Sequence, residues 1–272
     1  MLEKKLIVCA DDFGLTKGIN KGIVSAYSEG IVTRTSIIAN GDAFDHAVLL
    51  SGKNKGLKVG IHLTLIEERP INEPKNIRSL IGEDGKLHAN YRIFVLRYAL
   101  RKIDVNEVYA EWESQIKKVL SSGIVINHID SHQHLHMLPG IFEKTLDLAS
   151  KYKINKIRIH YHNIVDIRTV KEFLLAFLSS MHRKRVLNSG ISTAEHFWGL
   201  QHGGNTSESD IIKFIDNVKF GTTEMMCHPG YADNKYCQKY GHWKYNPEEE
   251  LKVLTSDLIK EKLKDKNIKL VS

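Results

Sequence analysis

The side chains best suited to chemistry gather in four short clusters. Ala10-Asp11-Asp12-Phe13-Gly14 places two adjacent acids at the end of an apolar run, just before a glycine. Neighbouring side chains of an extended segment point in different directions, so one carboxylate can bind a cation while the other faces a water molecule. The ordinary fate of such a pair is an Asx turn or a helix N-cap, here feeding a helix near Lys17. Gly60-Ile61-His62-Leu63-Thr64 sets a histidine in an otherwise apolar run, where a lone imidazole is more often a hydrogen-bonded core residue than a ligand. Asp130-Ser131-His132-Gln133-His134-Leu135-His136 changes that balance. Its three imidazoles share one side if the segment is extended, whereas a helical turn brings His132 and His136 together, and either geometry offers nitrogen ligands. A carboxylate with two imidazoles leaves coordination positions open for water and substrate, as catalytic sites do. Asp130 could orient one imidazole from behind. In Met226-Cys227-His228-Pro229-Gly230 another histidine precedes a forced turn. Imidazoles titrate near neutrality, which makes His228 a candidate general acid for an amine leaving group.

These clusters need strands to position them. Short apolar runs predict strands at Leu6–Ala10, Thr35–Asn40, Val59–Leu63, Ile124–Ile129, Lys156–His160, Glu195–Trp198, Thr223–Cys227 and Ile268–Val271, with amphipathic helical stretches between them. That alternation implies one α/β domain with parallel pairing, and polar residues at successive strand ends converge only at the carboxyl end of a parallel barrel. Helix ends are marked by Asn246-Pro247 before three glutamates, by Ser207 with Asp210, by Pro139 and by Gly123. The stretch from Glu67 to Asp104 breaks the rhythm and reads as an insertion, either over the barrel mouth or purely structural.

Composition bounds the rest. The 272 residues, 42% hydrophobic and 26% charged, describe an ordinary globular chain, without low-complexity tracts or internal repeats. The N-terminal residues lack a secretory pattern and no apolar run approaches a membrane-spanning length, so a cytoplasmic protein that does not engage a membrane is expected. Three widely separated cysteines, Cys9, Cys227 and Cys237, suit neither a disulfide framework nor a thiolate zinc motif. The formal charge of +7 is spread over helical lysines rather than gathered into a basic motif, so no nucleic-acid partner is expected.

Taken together and in this order, the four motifs resemble the YdjC-like carbohydrate deacetylases, the group that includes chitooligosaccharide deacetylases, over nearly the whole chain. The resemblance implies a distorted (β/α) barrel spanning residues 1–272. It implies Asp11 as catalytic base, Asp12, His62 and His132 as ligands of one divalent metal ion (magnesium or zinc), and His228 near the reaction centre. The implied activity is metal-dependent hydrolysis of the acetyl group from N-acetylated amino sugars such as chitobiose units. His136 remains an alternative to His132 as ligand. Arg158 could pair with Asp11, and it and Trp198 are candidate substrate contacts. Tyr231, Tyr236, Tyr240, Trp243 and Tyr245 supply further flat faces for a sugar. A metal-dependent phosphoesterase is the enzymatic alternative, and it would want a basic clamp on phosphate. A homodimer is compatible with the sequence but not argued by it.

Overall fold

The computed structural model describes residues 3–160 and 169–272. Strand β1 (Lys4–Phe13) leads to α1 (Lys17–Ser28), β2 (Arg34–Ile37), α2 (Phe44–Lys53) and β3 (Lys58–Leu63). Helices α3 (Tyr91–Ala99) and α4 (Val105–Ser121) precede β4 (Ile129–Ser131) and α5 (Ile141–Lys151). Then come α6 (Val170–Ser189), β5 (His196–Trp198), α7 (Glu208–Asp216), β6 (Gly221–Cys227), α8 (Asn234–Tyr240), α9 (Pro247–Thr255), α10 (Asp257–Asp265) and β7 (Ile268–Leu270). The sheet is parallel, in the order β4-β3-β2-β1-β6-β5. β6 runs along Lys4–Ala10 of β1, while the other edge of β1 takes β7 at Lys4–Leu6 and β2 from Cys9 onward.

The curled sheet is the distorted barrel expected, and its distortion lies at the expected strand Lys156–His160. That segment forms no ladder. It makes single bridges, Ile129↔Ile157 to β4 and Lys156↔Ser192 to the segment ahead of β5. β-rich composition gives a run the propensity for a strand, but a ladder needs a partner in register over several residues, and here each neighbour is met at one point. The expected strand Ile124–Ile129 is likewise displaced, the ladder with β3 beginning at Ile129. Gly60 explains how closely these strands approach: the His128 ring lies 2.2 Å from where a Cβ on Gly60 would stand.

Helix ends follow the sequence. Asn246 accepts from Glu249 N ahead of Pro247, and Ser207 with Asp210 forms a reciprocal capping box. Asp11 and Asp12 are not caps. Thr16 caps α1 by accepting from Ile19 N, and the two acids lie within β1.

The insertion is anchored from below. Buried Glu111 on α4 accepts from Ile71 N and Asn72 N, both at 2.9 Å, and Gln115 takes Thr64 N and donates to Thr64 O. From there the insertion folds over the C-terminal rim of the strands, where Glu68 meets Tyr240 (2.6 Å) and Lys239 (2.8 Å). Among the described residues no helix is long and apolar enough to cross a membrane.

Candidate metal centre

β1 does not end as a regular strand. Its register against β2 shifts between Ala10 and Phe13, and Asp12 has φ 69°. A bulge of this kind re-aims side chains, and a left-handed non-glycine residue is held only where its surroundings enforce it. Asp12 Oδ1 lies 3.6 Å from His62 Nε2, on β3, and 3.6 Å from His132 Nδ1, just after β4. Those gaps are too long for good hydrogen bonds. They match the edge of a ligand tetrahedron around one ion, about 3.4 Å for bonds of about 2.1 Å. One donor atom from each of Asp12, His62 and His132 falls within 4.8 Å of the others, and all three residues are buried. Asp12 Oδ1 and His132 Nε2 are also buried without a hydrogen-bond partner. Buried polar atoms are rarely left so, and a cation would satisfy the carboxylate oxygen. The donor set therefore fits a divalent ion.

The surroundings fix the donors. His62 Nδ1 lies 2.8 Å from Asp130 Oδ1, and a carboxylate can only accept, so Nε2 is the nitrogen left facing Asp12. Burial works to lower the His62 pKa, but the charge and hydrogen bond of Asp130, with Asp11 and Asp12 beyond, raise it to about 9. Burial works to raise the Asp12 carboxyl, yet His132, then His62 and His228, hold it at about 2. The His62 shift records the carboxylates gathered around it, Asp130, Asp11 and Asp12, a negative charge that a cation would balance, and the Asp12 shift records the imidazoles beside it.

Asp11 points into the barrel. Arg158 grips it with two bonds, Nη1 to Oδ2 at 2.6 Å and Nη2 to Oδ1 at 2.8 Å, and Ser36 Oγ adds a third at 3.2 Å. The expected Arg158–Asp11 pair is thus present, but Arg158 as a substrate contact is corrected. Its side chain is fully buried, Nε donates to Glu224 (2.7 Å) and Nη2 is also ion-paired with Asp130 (2.8 Å), so it has no face to offer a sugar. Glu224 also pairs with Arg34 at 2.7 Å. A glutamate inside the apolar strand β6 was the sequence signal for this buried network, and it was missed.

The histidine cluster is neither extended nor α-helical. Residues His132–Met137 form a tight turn in which Gln133 (φ 53°) and His134 (φ 60°) are left-handed. His132 and His136 therefore part company. His136 Nδ1 lies 2.6 Å from Ser131 Oγ and Nε2 lies 2.9 Å from Arg158 O, so both its nitrogens are engaged away from Asp12. Burial lowers its pKa to about 4.

A pocket of about 50 Å³ opens beside these groups, lined by Asp11, His62, His132, His228 and Tyr245 among others. His228 is held by its backbone N, which donates to buried Glu250 at 2.6 Å, and its Nδ1 is buried without a hydrogen-bond partner. Trp198 is not part of this wall: it stacks on His202 and Phe214. Of the other aromatic candidates, Tyr245 lines the pocket and Trp243 lies 5.0 Å from the His132 ring, while Tyr231 sits outside, against Ser25. Glu67 was missed altogether. Its Oε2 accepts from Trp243 Nε1 at 2.9 Å and stands 3.8 Å from His132 Nε2, and its backbone is left-handed at φ 66°.

A parallel barrel with an aspartate-histidine cluster at its C-terminal rim has the donors to hold a metal ion where such barrels carry their active sites, and the chain belongs to the YdjC-like protein family, whose model matches residues 5–265. It is 32% identical over 276 residues to a carbohydrate deacetylase of Clostridium beijerinckii, covering 98% of each chain. It is 32% identical over 275 residues to a chitooligosaccharide deacetylase of Yersinia enterocolitica, covering 100% of this chain and 98% of that one. Among solved structures, a protein from Enterococcus faecalis named for cellobiose-phosphate cleavage superposes with a TM-score of 0.82 at 28% identity, covering 99% of this chain and 97% of that one.

Proposed function

We propose that this protein is a carbohydrate N-deacetylase that hydrolyses the acetamido group of an N-acetylated amino sugar with one divalent metal ion. The observation that carries the reading is the Asp12, His62 and His132 cluster beside a pocket that Asp11 and His228 also line. When bound, the ion would lower the pKa of a water molecule and polarise the acetyl carbonyl. Two imidazoles with one carboxylate are softer donors than magnesium prefers, so zinc is the proposed ion. Asp11, locked in orientation by Arg158 and Ser36, takes the proton of the attacking water. His228 gives a proton to the departing amine from a ring that Glu250 positions through the backbone. Tyr245, 5.0 Å from the His228 ring, closes the pocket on that side. A phosphoesterase has less support, because no lysine or arginine lines this pocket among the described residues. A cytoplasmic location accords with three free thiols, at Cys9, Cys227 and Cys237.

Asp11→Asn tests the division of labour. Turnover should fall by about three orders of magnitude, in the range of losing an acid-base group, while bound metal stays near one equivalent. Loss of metal together with turnover would move Asp11 into the coordination sphere and overturn these roles.

A further inference from the structure

The pocket at the metal centre, about 50 Å³, is small beside the roughly 300–1,000 Å³ of ordinary small-molecule sites, and its polar groups converge on the space an acetyl group would take. The body of the substrate must lie outside it. Beside the mouth is a cavity of about 660 Å³, well within the range of about 300–1,000 Å³ that small-molecule sites occupy. Its walls come from the insertion after β3 and from the segment around α8. Glu67 stands between the two spaces: it lines the large cavity, reaches His242 at 3.5 Å, holds Trp243 at 2.9 Å and stands 3.8 Å from His132, which lines the small pocket.

We propose that this cavity is a distal subsite for further sugar units of an oligosaccharide whose terminal acetamido group enters the metal centre. The proposal rests on the deacetylase reading. The cavity's chemistry suits neutral hydroxyl-rich rings: carboxylates (Glu67, Asp84) and cations (Arg97, Lys239) share its lining, so hydroxyls can donate to one kind and accept from the other. A purely anionic ligand would meet the carboxylates as well. Arg97 lines this cavity, and its guanidinium supplies donors for ligand oxygens. Tyr240 and Lys239 are fixed by their bonds to Glu68, so this side of the cavity is already formed. The insertion thereby acquires a role, as the wall that reads chain length.

The test measures acetate release by zinc-loaded protein from N-acetylglucosamine and from its β-1,4-linked tetramer. The tetramer should have the higher kcat/KM, by about tenfold or more, the worth of one charge-assisted hydrogen bond. Arg97→Ala should cut the tetramer-to-monomer ratio of kcat/KM about tenfold. Gly82→Phe should do the same by filling the cavity, since a Cβ there meets only Asp84 Oδ1 at 3.4 Å and Lys86 O at 3.8 Å. Both rates scale with the folded fraction, so the ratio survives partial unfolding, and the second variant stands in if the first does not fold. Acetate release with no chain-length preference, or a ratio unmoved in both variants, overturns the subsite and leaves the deacetylase reading intact. No release from any sugar with any metal overturns both.

Discussion

Replacing Asp130 by asparagine isolates the contribution of a residue that orients His62 without being one of the three proposed ligands. Asp130 is fully buried, with Oδ1 at 2.8 Å from His62 Nδ1 and Oδ2 at 2.8 Å from Arg158 Nη2. Asparagine is nearly isosteric but keeps a single acceptor. If its oxygen faces His62, its amide hydrogens confront the Arg158 guanidinium. If it flips, they confront His62 Nδ1, and the imidazole proton is driven to Nε2, the nitrogen that faces Asp12. Either outcome leaves a buried donor unpaired, at about 1–3 kcal/mol, and the second blocks ligation. Losing the group that orients a ligating histidine typically weakens metal affinity by about 10–100-fold, or about 1.4–2.7 kcal/mol. Asp11→Asn is the matched control. It perturbs the same arginine, but its link to His62 passes through Ser36 Oγ, 3.2 Å from each, so its metal Kd should stay within about threefold of wild type. Competition against a chromophoric zinc chelator at fixed pH measures both, with near-UV circular dichroism to establish native packing. An Asp130→Asn protein that binds zinc as tightly as wild type, or an Asp11→Asn protein that loses as much, would refute the reasoning.

Two further substitutions test the supports of the site. Glu250→Ala removes the acceptor of His228 N (2.6 Å) and Thr206 N (2.9 Å); stability should fall by about 3 kcal/mol, with Tm lower by about 6–12 °C, and an unchanged melt would show that the loop holds itself. Glu224 is buried, and although burial works to raise its pKa, Arg34 and Arg158 lower it from 4.5 to about 2. A depressed carboxyl stabilises the fold fully above its unfolded pKa and stops doing so as pH falls through the folded one, so about 3 kcal/mol should be lost between about pH 5 and 2. Glu224→Gln lacks that dependence: its stability deficit against wild type, measured by urea unfolding, should shrink over this interval, and a constant deficit would contradict the assignment.

Much of this architecture was legible because parallel barrels impose one simple pattern, a short apolar run that ends in a polar residue. Asp12, His62 and His132 each stand at such an end, and the structure brings them together. What escaped was set by tertiary contacts. Left-handed Gln133 and His134 separate His132 from His136, and non-glycine residues give no advance notice of positive φ. Lys156–His160 has strand composition but meets its neighbours at single bridges. Arg158 at a strand end looked available to a ligand, and only the positions of Asp11, Asp130 and Glu224 show its donors committed. Glu67 opens an insertion with no periodic pattern, so nothing in its neighbourhood marked it as the residue above His132.

The central claim is most directly tested by acetate release from N,N′-diacetylchitobiose, with protein stripped of metal, then reloaded with zinc, magnesium, manganese or cobalt, and with Asp12→Ala treated in parallel. The account predicts no release from the stripped protein, restoration by a divalent ion with zinc among the effective ones, and none from Asp12→Ala under any condition. Release from stripped protein, or from Asp12→Ala at the wild-type rate, would contradict a reaction centred on the Asp12, His62 and His132 cluster.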